Sequence, residues 1–212
     1  MKLYSYFRSS AAYRVRIALN LKNLDCEIIP VHLLNNGGEQ HGQAYRQINP
    51  SELLPALVED DFALAQSLSI LEYLEEKYPE HALLPNNLQD RAKVRAFCQN
   101  IACDIHPLNN LRVLKYLKHE LQISEDEKTA WYKHWVEIGF KSLEQQLLDS
   151  NGKFCFGDQA TLADCCLIPQ VYNAKRFNID LSAFPKISAI YQHCSGLDAF
   201  KNAAPEAQID AT

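Results

Sequence analysis

Two rhythms of apolar residues divide the chain. Up to about residue 78, short apolar runs alternate with stretches of helical spacing. Residues 1–6 form a first apolar run that reads as a strand. Ile17, Ala18 and Leu21 then recur at helical spacing, with Val15 and Leu19 widening the stripe, which predicts a helix over 11–22. Its start falls near Ser9-Ser10, because Ser is a favoured N-cap. Residues 27–33 are apolar and β-branched and predict a second strand, and Asn35-Asn36-Gly37-Gly38 marks a loop. A short helix over 43–48 is ended by Asn49-Pro50, and two short strands over 56–59 and 62–65 flank the turn Asp60-Asp61. Residues 67–78 predict an amphipathic helix with Ile70, Leu71 and Leu74 on one side. The resulting order is β-α-β-α-β-β-α.

Residues 79–87 carry two prolines and two asparagines and read as a linker. Beyond it every apolar pattern is helical. Val94, Phe97, Ile101, Ile105 and Leu108 mark one long helix, which Pro107 should kink because it lacks an N–H and crowds the preceding turn. Trp131, Trp135 and Ile138 begin another, carried on by Leu143 and Leu147. Thr161-Leu162-Ala163-Asp164 has the form of a capping box with Asp in place of the usual Glu, and it opens the apolar segment 165–172. A last helix is expected over 185–197, followed by a tail from Ala203 that reads as loosely ordered. These patterns divide the chain into an α+β domain at 1–80 and an all-helical domain at 88–212.

The net charge of −5 argues against a general nucleic-acid binder. The apolar runs are too short to span a bilayer, and Met1-Lys2 leads straight into a strand, so a cytoplasmic protein without a membrane partner is expected. The seven cysteines are irregularly spaced and contain no Cys-x-x-Cys, which argues against a disulfide framework or a zinc site. Most of them read as small buried apolar residues.

The strand–turn–helix junction at residues 6–14 carries the first chemical signal. Unpaired N–H groups and the positive end of a helix dipole point into such a turn, and they suit a carboxylate, a phosphate or a thiolate. The element order is that of a thioredoxin-like domain. A redox member would place Cys-x-x-Cys where Ser9-Ser10-Ala11-Ala12 stands, so dithiol exchange at that turn is excluded. Leu54-Pro55 precedes the third strand, where a cis bond would turn the Leu54 backbone outward, although trans is the ordinary state of such a bond.

A thioredoxin-like half ending in Gln66-Ser67, Leu54-Pro55 ahead of strand three, a helical half and Thr161-x-x-Asp164 together resemble a cytosolic glutathione transferase over essentially the whole chain. Phe7-Arg8-Ser9-Ser10 followed by Arg14-Val15-Arg16-Ile17-Ala18-Leu19 resembles the zeta-class signature, the class of the maleylacetoacetate isomerase family. Phe156-Gly157-Asp158, Leu162-Ala163-Asp164, Pro169-Gln170-Val171 and Arg176-Phe177 strengthen the match. One departure is that the usual Ser-Ser-Cys-Ser reads Ser9-Ser10-Ala11-Ala12 here, so side reactions through that Cys should be absent.

The resemblance implies glutathione as cofactor, a homodimer, and cis–trans isomerisation of a maleyl dicarboxylate, with no metal. Adding a thiolate across a double bond makes a single bond that rotates, and expelling it restores the double bond. A free thiol has a pKa of about 8.5. A helix N-terminus contributes up to about 2 kcal/mol toward the anion, and a hydroxyl hydrogen bond to a charge roughly 1.5–3 kcal/mol. Together they lower the thiol pKa by roughly two units, so Ser9 or Ser10 is expected to hold the sulfur, Ser9 being preferred by resemblance.

Ala11 continues that helix start. Gln66 and Ser67 suit the γ-glutamyl carboxylate, and Leu54 beside Pro55 suits the cysteinyl peptide unit. By resemblance, Gln40 reaches the glycyl end, while His106, Asn110, Leu111 and Arg112 close the site. Arg8, Arg176 and Arg112 are the expected cradle for the substrate carboxylates, because a planar guanidinium binds carboxylates bidentately. Arg112 resembles the maleylpyruvate-isomerising relatives, whose substrate has a carboxylate next to its ketone. Arg14 and Arg16 remain open between structural and functional roles. The three arginines favour an isomerase over a transferase that conjugates apolar electrophiles. Ser9, Ser10, Gln66 and Ser67 argue against a scaffold that has lost glutathione.

Overall fold

The computed structural model describes residues 1–211. One compact unit contains Met1–Leu84 together with the chain from Ser195 onward, and a second contains Pro85–Cys194. In the first unit, β1 (Lys2–Ser5), β2 (Glu27–Pro30), β3 (Ala56–Glu59) and β4 (Phe62–Ala65) form one sheet in the order β2-β1-β3-β4. β1 pairs with β2 in parallel, whereas β1 with β3 and β3 with β4 are antiparallel. Two successive reversals make β1 and β4 run in the same direction. Helix α1 (Ser10–Leu21), which follows β1, and helix α3 (Ser67–Lys77), which follows β4, therefore start at the same end of the sheet. β3 runs the other way, so its entry at Leu54-Pro55 lies at that end too. Ala56 is paired with Tyr4 on one side and with Ala65 on the other.

Strand alternation divides the side chains between two cores. Leu3 and Leu57 pack with Val15, Leu19, Ile70 and Leu74, which places α1 and α3 over one face. Ala56 belongs to a second cluster with Tyr6, Phe7, Val31, Leu54 and Tyr45, the last of these from helix α2 (Gln43–Ile48). The distal ends of α1 and α3 are joined by a buried ion pair. Lys22 Nζ lies 2.7 Å from Glu75 Oε2, with side chains 0% and 5% exposed. Lys22 also donates to the Tyr78 carbonyl at 2.8 Å, and Glu75 accepts the N–H groups of Leu83 and Leu84. Every strong polar group in this buried knot therefore has a partner.

In the second unit α4 (Leu88–Gln99) is followed by α5 (Leu111–His119), α6 (Glu125–Gln146), α7 (Leu162–Arg176) and α8 (Pro185–Ser195). The helix expected to run through Leu108 loosens instead into a π-helical stretch, Asn100–Ile105, and then a 3-10 segment, His106–Asn109. Pro107 falls in the first turn of that segment, where a missing N–H is harmless. Helix α5 and the start of α6 are additions to the sequence reading. In α5 the apolar residues Leu111, Val113, Leu114 and Leu117 fall at helical spacing, a signal the sequence reading passed over, and both helices start at caps: Asn110 accepts the Arg112 N–H at 3.0 Å, and Ser124 with Glu127 forms a capping box. At α7 the capping box is present as read. Buried Asp164 accepts the Thr161 N–H at 2.8 Å, the Thr161 hydroxyl at 3.1 Å and the Cys155 N–H at 2.8 Å. Burial nevertheless pushes its carboxyl above the ordinary range. Among the described residues no helix is long and apolar enough to cross a membrane.

The tail differs from the loosely ordered segment that its sequence suggested. After a short helix α9 (Asp198–Lys201), the tail from Ala203 forms a 3-10 turn (Pro205–Ala207). The Ala203 carbonyl accepts from Arg16 Nε at 2.9 Å, and Asp210 accepts the Phe7 N–H at 3.0 Å. These partners lie 187 and 203 residues away, which no local pattern registers. Replacing Lys22 by Met leaves the Glu75 charge buried without its cation. Chemical denaturation is expected to show a loss of about 3–5 kcal/mol, much of it recovered in the Lys22→Met/Glu75→Leu double variant. A single-variant loss below about 1 kcal/mol would show that the pair does not hold the helices together.

Candidate functional site

At the shared end of the sheet, the chain leaving β1 turns through Phe7 and Arg8 into α1. Ser9 donates its N–H to the Tyr6 carbonyl at 2.9 Å and forms the N-cap of α1, its Oγ accepting the Ala12 N–H at 3.2 Å. Because that hydroxyl accepts this bond, its own proton remains to be donated outward. Ser10 and Ala11 follow, buried in the first turn. That turn holds no acidic residue of its own, and the nearby Asp210 carboxylate is engaged by the Phe7 N–H just ahead of the helix. Arg8 is exposed, its guanidinium 4.8 Å from the Phe7 ring centroid.

Arg16 is structural. It donates to Ser5 Oγ at 2.8 Å, to the Phe7 carbonyl at 3.0 Å and to the Ala203 carbonyl at 2.9 Å, which fixes the turn before α1. Burial pushes its guanidinium down to about 10, which leaves it charged at neutral pH.

The segment leading to β3 is held just as firmly. The Leu53 carbonyl accepts from the Tyr45 hydroxyl at 2.6 Å and from Asn49 Nδ2 at 2.7 Å. The next bond, Leu54-Pro55, is cis, against the trans state that sequence alone favours. Gln40, which the resemblance assigns to the glycyl end, is buried to 6% exposure in a 3-10 turn, Glu39–His41. Its Nε2 lies 3.0 Å from His41 Nε2, and its Oε1 is buried without a partner. The amide packs over Gly38, where a Cβ would come within 2.6 Å of Gln40 Nε2 and where φ is +114°. His41 in turn pairs with Glu52, which also takes Arg46 Nε at 2.8 Å.

Gln66 and Ser67 open α3 at the same end. Gln66 has φ +71°, a left-handed backbone that a non-glycine residue adopts at a cost of order 1–3 kcal/mol. Its side chain is exposed and makes no cap bond. Ser67 is buried, and its Oγ accepts from Nη1 of Arg14, a residue of α1, at 3.1 Å. The first turn of α3, like that of α1, lacks an acidic residue.

In the helical unit, four expected site residues share one short stretch. Asn110 Nδ2 lies 3.3 Å from His106 Nε2, Asn110 caps α5, and Leu111 and Arg112 begin that helix with Arg112 exposed. Arg176 ends α7. It is exposed, donates to Asn173 Oδ1 at 3.3 Å and lies 6.0 Å from the Phe177 ring centroid. The cysteines offer no competing nucleophile in the core. Burial pushes the thiols of Cys155, Cys165 and Cys194 up, and that of Cys26 to about 11, while the hydrogen bond with Cys166, and burial after it, raises that of Cys98. The sequence reading missed the grip of Tyr45 and Asn49 on Leu53, and it left Arg14 undecided. The one available signal was the i, i+4 spacing of Ser10 and Arg14, which puts both on one helix face.

A sheet end that gathers two helix N-termini without acids in their first turns and a cis-proline entry, followed by a helical unit, is the architecture of a glutathione-binding enzyme. Residues 3–82 match the family model "Glutathione S-transferase, N-terminal domain", and residues 109–202 match "Glutathione S-transferase, C-terminal domain". The chain belongs to the glutathione transferase family.

Among its relatives, a probable maleylacetoacetate isomerase of Vibrio cholerae is 50% identical over 209 residues, covering 99% of this chain and 97% of that protein. The structure is similar to that of a holo maleylpyruvate isomerase, described as a bacterial zeta-class glutathione transferase, with a TM-score of 0.97, 45% identity and full coverage of both chains. It is also similar to a maleylacetoacetate isomerase of Methylobacterium extorquens with bound malonate and glutathione, with a TM-score of 0.94, 38% identity and full coverage of both chains.

Tyr45→Phe and Asn49→Ala each remove one donor from the Leu53 carbonyl, at an expected cost of about 1 kcal/mol. Removing both leaves the carbonyl with neither, so urea denaturation of the double variant should show a loss larger than the sum, by about 0.5 kcal/mol or more. Simple additivity would mean that the two donors do not act on one carbonyl in solution.

Proposed function

We propose that the protein is a glutathione-dependent cis–trans isomerase of a maleyl dicarboxylate, converting maleylacetoacetate to fumarylacetoacetate, and that it works as a homodimer in the cytoplasm. The observation that carries this reading is the shared sheet end, where α1 and α3 both begin without an acidic residue in the first turn. Buried polar atoms without protein partners accompany it, Oε1 of Gln40 and Nε and Nη2 of Arg14, and such atoms call for a polar ligand. A tripeptide with a carboxylate at each end and a thiol between them suits this donor set.

When bound, glutathione supplies the sulfur nucleophile that makes the substrate double bond temporarily single. Ser9 donates its hydroxyl proton toward the sulfur, and Ser10 and Ala11 form the helix start behind it. Gln66 and Ser67 hold the γ-glutamyl carboxylate. The Leu54 backbone beside Pro55 orients the cysteinyl unit, and Gln40 takes the glycyl end. His106, Asn110, Leu111 and Arg112 are the contribution of the helical unit. Arg8, Arg176 and Arg112 take the substrate carboxylates and stabilise negative charge that develops on its oxygen.

The presence of Arg112 favours a second reading, maleylpyruvate as substrate, since an extra cation suits a carboxylate next to the ketone. An absorbance assay of both substrates, with and without glutathione, tests the main reading, and equal rates without glutathione would end it. In the same assay Arg112→Ala is expected to slow maleylpyruvate about tenfold more than maleylacetoacetate, if the arginine sets that preference. Equal losses would remove the second reading. Ser9→Ala is expected to raise the pKa of the bound thiol by about one to two units in an ultraviolet thiolate titration. An unchanged titration would take that role from Ser9.

A further inference from the structure

We propose that Arg14 is the buried counter-charge of the γ-glutamyl α-carboxylate of glutathione, acting through Ser67 as a positioning residue. The proposal rests on the reading of the site given above. Arg14 and Arg16 are two residues apart on α1 and equally buried, 2% and 3% exposed. Arg16 is satisfied by Ser5 and by the carbonyls of Phe7 and Ala203. Arg14 makes a single bond, Nη1 to Ser67 Oγ at 3.1 Å, while its Nε and Nη2 are buried without a partner. Among the described residues no carboxylate pairs with it in an ion pair. A guanidinium keeps its charge in proteins, and a buried charge without a counter-ion is strongly unfavourable. Burial alone does not explain the deficit, because Arg16 on the same helix shows none.

The position of Arg14 indicates which anion it awaits. Ser67 is the first residue of an 11-residue helix whose first turn holds no acid, and Gln66 before it is held at φ +71°. The bond from Arg14 occupies a lone pair of Ser67 Oγ. The Ser67 hydroxyl proton must then point away from the guanidinium, so the hydroxyl serves as a donor to whatever binds at the helix start. Arg14 also polarises that O–H, which strengthens the bond it donates. A carboxylate at α3 would receive a hydroxyl bond, the helix dipole and the field of a guanidinium that has no other anion. A neutral or cationic group there would gain none of these.

The test pairs a protein change with a ligand change. Calorimetry measures the binding of glutathione and of γ-aminobutyryl-cysteinyl-glycine, which lacks only the α-carboxylate, to wild type, Arg14→Met and Arg14→Lys. Wild type is expected to bind the analogue about ten- to a hundredfold more weakly than glutathione. Arg14→Met is expected to lose about the same factor for glutathione and less than about threefold for the analogue. Arg14→Lys, which keeps a charge without the planar fork, is expected to fall between. Without ligand, the melting temperature of Arg14→Met is expected to equal or exceed that of wild type, because an unpaired buried charge is removed.

Equal losses for both peptides, or a lower melting temperature with unchanged binding, would overturn the proposal and leave the site reading intact. The same pattern sought in Arg14→Lys alone decides the matter if the Met variant does not fold. A wild type that binds glutathione and the analogue equally well would overturn the Arg14 role. A wild type that binds neither would overturn the site reading and the proposal together.

Discussion

Two antiparallel pairings in succession turn β4 back into the direction of β1, and the site depends on that constraint. It brings the exit of β1, the exit of β4 and the entry of β3 to one end of a small sheet. Three segments far apart in sequence, around Ser9, Leu54 and Ser67, can then meet a single extended ligand. The chemistry of each is local, a cap, a turn or a helix start, but their convergence belongs to the sheet.

Polar groups are treated differently at the two ends of this unit. At the distal end Lys22 and Glu75 satisfy each other and the backbone around Tyr78, Leu83 and Leu84. Along α1, Arg16 is filled with acceptors and anchors the turn before the helix. At the site end the pattern changes. Gln66 adopts a left-handed backbone, Gln40 buries an unpartnered oxygen, and Arg14 buries two unpartnered nitrogens. Within this unit the unpartnered buried atoms lie where a ligand would relieve them, while the satisfied networks hold the frame.

Much of this was legible from residue pattern. Helix α1 announces itself through Ile17, Ala18 and Leu21 at helical spacing, and β3 and β4 through short runs around Asp60-Asp61. Capping chemistry read correctly at Thr161 and Asp164, because both partners lie within one turn. What escaped depends on distant or weak partners. Helix α5 carries Leu111, Val113, Leu114 and Leu117 at helical spacing, but it is short, starts directly after the Pro107 segment at the Asn110 cap, and buries only Leu117. Gln40 looks solvated among polar neighbours, and only the fold of its loop over Gly38 buries it. Arg14 and Arg16 are indistinguishable on paper. Their roles separate only when Ser67, 53 residues from Arg14, and Ala203, 187 residues from Arg16, come within reach.

The last of these contacts bears on how the molecule comes into being. A ribosome releases residues 1–84 long before Ala203 and Asp210. Until those residues emerge, the Arg16 guanidinium lacks one carbonyl and the Phe7 N–H lacks its carboxylate. The loop that presents Ser9 is thus completed only when the segment carrying Ala203 and Asp210 has been made, and a nascent chain carries that loop in unfinished form until then.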